Sequence, residues 1–230
     1  MRRCGQSFTG DQSLHGSSLT SRTFLTVRDA GGRPLEVIEG AQASWRFRPH
    51  FHAGDEIVRL LAGRARLRLQ SSCRDVVEGE TVVVPAGVVH RFEPLDDKGW
   101  AFASAFVLRP GDTPLANPAD APSGDGLVKR AMTMLAGRHS LQTDVDSIAK
   151  KCAVSAGHLA RAFRRATGTS LHNFHVLLAV HKAKARLRDG IPLIEAALDG
   201  GFYDQAHLTR EFVRTFGMTP GTFRSAWMAR

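Results

Sequence analysis

The chain is poor in the residues and runs that mark several common classes of protein. Its three cysteines, Cys4, Cys73 and Cys152, are odd in number and form no CxxC pair, so neither a disulfide framework nor a zinc finger is implied. That usage fits a reducing cytoplasm. No apolar run approaches the roughly 18 residues of a membrane span. Arg2 and Arg3 are followed by no apolar stretch, which gives no sign of a secretory leader. One tyrosine in 230 residues, and no second acid/base set among the strand-like segments, disfavour an enzyme. Negative charge is scarce in one half only. Residues 1–120 hold 15 Lys and Arg against 14 Asp and Glu, whereas residues 121–230 hold 16 against 8. The net +9 therefore sits almost wholly in the second half, whose natural partner is a polyanion. An acidic membrane surface is the rival partner, but no Lys-rich amphipathic helix with aromatic anchors supports it.

That second half contains one pattern twice. His158, Leu159, Arg161, Phe163, Arg165, Gly168 and Phe174 recur 49 residues later as His207, Leu208, Arg210, Phe212, Arg214, Gly217 and Phe223. In the second copy Leu208, Phe212 and Phe216 form an apolar stripe at helical spacing, and His207, Arg210 and Arg214 form a basic stripe on another face. Ser155 and Asp204 stand at equivalent N-cap positions, where a side-chain oxygen accepts an orphan amide of the first turn. Each copy reads as helix, short turn, capped helix, the pattern whose second helix enters a DNA major groove. Between the copies, Leu171 to Arg188 reads as one helix of roughly 27 Å. Successive major grooves on one DNA face lie about 34 Å apart, so one chain can present both motifs to neighbouring grooves.

GFYDQAHLTREFVRTFGMTPGTFR, Gly201 to Arg224, is close to the motif of the AraC family of bacterial transcription regulators, and residues 127–227 resemble that family's DNA-binding domain. The resemblance implies sequence-specific binding to double-stranded DNA. In the first motif the outward or flanking positions are Gly157, His158, Ala160, Arg161, Arg164 and Arg165. Arg161 is the best base reader, because a guanidinium can bond guanine O6 and N7 together; Arg164 and Arg165 suit phosphates. In the second motif Gln205, Ala206, His207, Thr209 and Arg210 hold the corresponding places, with Arg214 beyond them. The second motif offers more readout than the first. For each of these residues the plainer reading is a solvated surface.

From Thr23 to about Leu108 the signals are short strands punctuated by Gly and Pro: LEVIEG, ARLRLQ, ETVVVP and AFASAFVL. Regular spacing argues for a β-sandwich or barrel. His50 and His52 are two apart, so a strand points both to one face; Glu56 and His90 follow downstream. Three imidazoles and a carboxylate suit a divalent transition metal, with Zn, Ni, Fe, Mn and Cu all admissible. The plainer reading is a set of satisfied core histidines. These stretches resemble the paired motifs of the cupin superfamily: HxH, three residues, Glu, six residues, Gly; then Gly, five residues, Pro, one residue, Gly, two residues, His. All four expected ligand positions are filled. Ser44 stands where the first motif usually begins with Gly, and Pro94 where the second usually ends with Asn.

The expected architecture is a two-domain β plus α chain. A flexible arm (1–22) precedes a cupin β-barrel (23–108), a Pro-rich linker (109–126) and an all-α domain (127–230) with two helix-turn-helix motifs joined by a long helix. The expected function is a cytoplasmic, nucleoid-associated DNA-binding regulator whose cupin senses a metal or a small effector. RNA polymerase and a second copy paired through the barrel are the further partners expected, and no membrane. The alternatives are a metal-dependent cupin enzyme of the dioxygenase or isomerase type, and a regulator whose metal is purely structural.

Overall fold

In a computed structural model, residues 22–31, 34–42, 47–69, 72–107 and 126–229 are described. Nearly all of the arm and of the Pro-rich linker expected from the sequence lie outside them, and Arg22, expected in the arm, opens the first strand. Seven strands come first: β1 (Arg22–Asp29), β2 (Pro34–Gln42), β3 (Asp55–Leu69), β4 (Ser72–Val77), β5 (Thr81–Val84), β6 (His90–Pro94) and β7 (Trp100–Val107). All pair antiparallel, in the order β1-β2-β7-β3-β4, with β5 and β6 also on β3.

The organising strand is β3. The ARLRL of ARLRLQ is not a strand of its own but the end of this 15-residue run. The first half pairs with β7 and β5, and the second half with β4 and β6. The ladder slips between Leu60 and Ala62, a bulge that bends the strand from one sheet into the other. Gly63 follows at φ +76°, and a Cβ there would lie 2.3 Å from the Gly99 carbonyl oxygen, so only glycine fits the corner. Alternation along the strands sends Val58, Leu60, Leu67, Val82, Val84, Phe92, Trp100, Phe102 and Phe106 inward. The result is a cupin barrel.

Seven helices follow: α1 (Gly126–Ala136), α2 (Val145–Lys151), α3 (Ala156–Thr167), α4 (Leu171–Arg188), α5 (Leu193–Gly200), α6 (Gln205–Phe216) and α7 (Pro220–Met228). The pairs α2–α3 and α5–α6 are the two helix-turn-helix units. Ser155 Oγ accepts the His158 amide at 3.2 Å, and Asp204 Oδ1 accepts the His207 amide at 2.6 Å. Gly168 and Gly217 end α3 and α6 in the left-handed conformation. Leu159 and Phe163 are fully buried among α1, α2 and α4, as are Leu208 and Phe212 in the second unit. Cys152 is buried with the first group.

Helix α4 is covered on nearly every side; even His175, His181 and Lys184 are buried. One side holds each helix-turn-helix unit and a third lies on the barrel. Phe51 of the barrel stacks on Phe174 and His181 of α4, with ring centroids 5.5 and 4.7 Å apart. His181 Nε2 donates to the Phe51 carbonyl at 2.8 Å, and Asn173 Nδ2 donates to the Pro49 carbonyl at 3.3 Å. The barrel core and the second helix-turn-helix unit share one continuous apolar cluster. The two halves thus form one packed body around α4, which the sequence pattern did not reveal.

Candidate metal centre and DNA-reading helices

His50, His52 and His90 converge inside the barrel. Each offers a ring nitrogen within 4.8 Å of the others, and all three side chains are buried. His50 and His90 are held together by reciprocal backbone hydrogen bonds of 2.8 Å. His50 Nδ1 donates to the Arg48 carbonyl at 2.7 Å, and His90 Nδ1 donates to the Val88 carbonyl at 2.9 Å. A carbonyl can only accept, so both Nδ1 atoms carry protons and both Nε2 lone pairs are free in the neutral rings. This is the orientation that outer hydrogen bonds give to metal-binding histidines.

Glu56 completes the group. Its Oε2 lies 2.8 Å from His90 Nε2 and 3.5 Å from His52 Nε2. With His90 Nδ1 protonated, Nε2 and the carboxylate are two acceptors face to face, and a cation must lie between them, either a proton or a metal ion. Burial, joined by the neighbouring His90, pushes the His50 ring down to about 4; burial and the neighbouring histidines hold His52 well below its ordinary value. Both are therefore neutral at physiological pH, the form that ligates. Burial opposes the charge on Glu56, but its hydrogen bond to His90 and the electrostatic influence of the neighbouring histidines outweigh it and hold the carboxyl low. His52 Nε2 has no hydrogen-bond partner. An orphaned buried nitrogen beside two free lone pairs and a carboxylate fits a divalent transition metal. All four ligand candidates named from the sequence meet here.

The surrounding walls were not foreseen. The cavity holds about 30 Å³ and is lined by Phe47, Phe92, Trp100, Phe102 and Phe106 of the barrel, with Thr215 and Phe216 from the end of α6. The His52 and Phe216 ring centroids lie 6.4 Å apart. The second helix-turn-helix unit therefore contributes part of the wall around the histidine cluster.

On α3, Gly157, His158, Ala160, Arg161, Arg164 and Arg165 are all exposed. On α6, Gln205, Ala206, Arg210 and Arg214 are exposed, whereas His207 and Thr209 are half-buried. His207 stands edge-on to Phe202, with ring centroids 5.1 Å apart. Arg214 is tied to its own helix: Nη1 donates to Glu211 at 2.9 Å. Buried Glu211 also takes Arg48 Nη1 of the barrel at 2.6 Å, and the Arg48 amide donates to the Arg214 carbonyl at 3.2 Å. Sequence spacing could not identify Glu211 as an interdomain anchor, because it reads as one more polar residue on a charged helix.

A cupin barrel with a histidine cluster, packed on two helix-turn-helix units, defines a class of protein: a ligand-binding module carried on a DNA-binding type of helical domain. A model described as AraC-like ligand binding domain matches residues 34–118, and one described as Helix-turn-helix domain matches residues 148–226. The chain belongs to the AraC family of transcription regulators, with an N-terminal cupin domain. Transcriptional regulator Rob of Salmonella typhimurium is 29% identical over 107 residues, 45% of this chain and 37% of Rob. The chain thus spans little more than a third of that relative. Acireductone dioxygenase of Ixodes scapularis is 37% identical over 81 residues, 32% of this chain and 43% of that enzyme. Among solved structures, the C-terminal domain of AraT, a response regulator from Geobacillus stearothermophilus, is 22% identical with a TM-score of 0.41; the match covers 44% of this chain and 85% of that one. No described helix is long and apolar enough to cross a membrane.

Proposed function

We propose that the chain is a bacterial, cytoplasmic, sequence-specific DNA-binding regulator, not an enzyme, in which a divalent transition metal held by His50, His52, Glu56 and His90 biases the engagement of α3 and α6 with DNA. The observation that carries this reading is the wall that α6 contributes to the histidine pocket through Thr215 and Phe216. The helix meant to read DNA is also a wall of the site meant to hold the ligand. Size favours the ion as the ligand of this site. A water needs roughly 10–15 Å³ by the same measure, so about 30 Å³ admits an ion with a water or two, or at most a group the size of one carboxylate, and no larger substrate. The same limit weighs against a cupin enzyme, which needs open metal positions for its substrate.

In this reading residues 23–108 are the sensor, 109–126 the linker and 127–230 the reader. Arg161 and Arg210 contact bases, with Gln205 and Thr209 beside Arg210; His158, His207, Arg164, Arg165 and Arg214 lie along the backbone, and Gly157, Ala160 and Ala206 let the helices approach closely. RNA polymerase and a second copy of the chain are the further partners. The excess positive charge of residues 121–230 supports the DNA partner. Elemental analysis of protein purified without a histidine tag tests the sensor. Close to one Zn, Ni, Fe, Mn or Cu per chain, lost in His50→Ala, is expected; no metal in the wild-type chain, even after incubation with each ion, refutes it.

A further inference from the structure

A second cavity lies beside the first, between the barrel rim and helices α4 and α7. It also holds about 30 Å³ and is bounded by Glu36, His52, Phe106, His181, Lys184 and Arg188. Glu36 of β2 is buried and divides its two oxygens between two cations. Oε2 takes Lys184 Nζ and Oε1 takes Arg188 Nη2, each at 2.6 Å. Lys184 lies over the rings of Phe106, Phe216 and Phe223, with its ammonium 5.6, 4.9 and 5.2 Å from their centroids. The Arg188 guanidinium stacks on Trp227 at 4.6 Å.

Among the described residues Glu36 is the one carboxylate bonded to Lys184 or Arg188, and Glu56 acts on Lys184 only at longer range. The hydrogen bonds do not balance. An arginine edge presents Nε and Nη together and suits a two-oxygen acceptor. Glu36 meets Nη2 alone, and Arg188 Nε is buried with no partner. His52, a ligand candidate of the histidine cluster, borders the same cavity. An unmade buried donor is costly, so a site that keeps one beside two cations is arranged for an acceptor it does not contain.

We propose that this cavity binds a small carboxylate, of the size of acetate or one arm of a short dicarboxylate, with its oxygens on Arg188 Nε and toward Lys184. About 30 Å³ takes two water-sized groups, the room that the two oxygens of one carboxylate need. Glu36 is the internal competitor. Its side chain belongs to the barrel, while both cations belong to α4, the helix that joins the two DNA-reading units. A carboxylate that takes over the cations weakens the barrel's hold on α4. The site itself does not depend on the function proposed above; its role as an input to DNA binding rests on that reading.

Calorimetric titration of the full chain with sodium malonate and with sodium acetate tests the site, with malonamide and sodium chloride at matched ionic strength as controls. Saturable binding of malonate or acetate, absent with both controls, is expected. Arg188→Lys, which keeps the charge but loses Nε, should weaken binding about tenfold. Glu36→Gln, which removes the competitor, should strengthen it about tenfold. Equal responses to chloride and malonate overturn the proposal, as does unchanged affinity in Arg188→Lys; that variant serves where Glu36→Gln does not fold. Carboxylate binding that fails while metal still changes DNA affinity removes this site and leaves the regulator reading intact.

Discussion

Acidification from about pH 7.5 to about pH 5.5 should cost the metal-free chain roughly 4 kcal/mol of folding stability. Burial pushes His181 down to about 3 and His50 to about 4, and holds His52 well below its ordinary value. In the unfolded chain each titrates near 6.5. These are bases whose folded pKa values are depressed. Between the folded and unfolded values the unfolded chain binds protons that the native state refuses. Stability is therefore complete above about pH 6.5 and is lost as pH falls from there toward 4. One pH unit below 6.5, each unfolded histidine gains about 1.4 kcal/mol, and the three together about 4 kcal/mol. That is a large share of the 5–15 kcal/mol typical of a folded domain. Glu36 and Glu56, both held low, act in the same direction only below about 4.5, so they do not contribute at pH 5.5. The assay is urea unfolding of the metal-free chain at the two pH values, followed by tryptophan fluorescence, since Trp100 and Trp227 are buried. Identical midpoints would refute the reasoning, and so would a pH dependence undiminished in His181→Phe.

Three other outcomes follow from single side chains. Phe212 is fully buried between Phe216 and Phe223, so Phe212→Ala should destabilise by about 3–5 kcal/mol in the same urea assay. Gly217 sits at φ +71°, and a Cβ there would lie 2.8 Å from Thr23 Oγ1 and 3.2 Å from the Phe47 ring. Gly217→Ala should therefore lower the melting temperature, through about 1–2 kcal/mol of backbone strain plus the clash with the barrel. Arg210 is exposed on α6, and Arg210→Ala should cost about 1–3 kcal/mol of specific DNA affinity with an unchanged melting curve, measured by fluorescence anisotropy.

The helices were legible because their determinants are local. Asp204 and Ser155 cap where their spacing says they must, and the bounds of α3 and α4 follow from caps and apolar period alone. The histidine cluster was legible because HxH on extended chain fixes a shared face. What escaped notice depends on partners far away in sequence. Glu36 meets Lys184 across 148 positions, and no periodicity marks either as buried. Phe216 read as the last residue of an apolar stripe, yet it also walls the barrel pocket. ARLRLQ alternates cleanly and so looked complete, although its strand begins ten residues earlier at Asp55. Thr209 and His207 looked free on a helical wheel, but α6 packs closely enough to half-bury both.

The central claim is that the histidine cluster and the DNA-reading helices are energetically coupled through α6. The most direct measurement is the DNA affinity of one preparation with the cluster emptied by chelator and then refilled with metal, by fluorescence anisotropy at constant salt. A change of at least about fivefold, absent in His52→Ala, is expected. The same DNA affinity with the cluster filled and empty would contradict it.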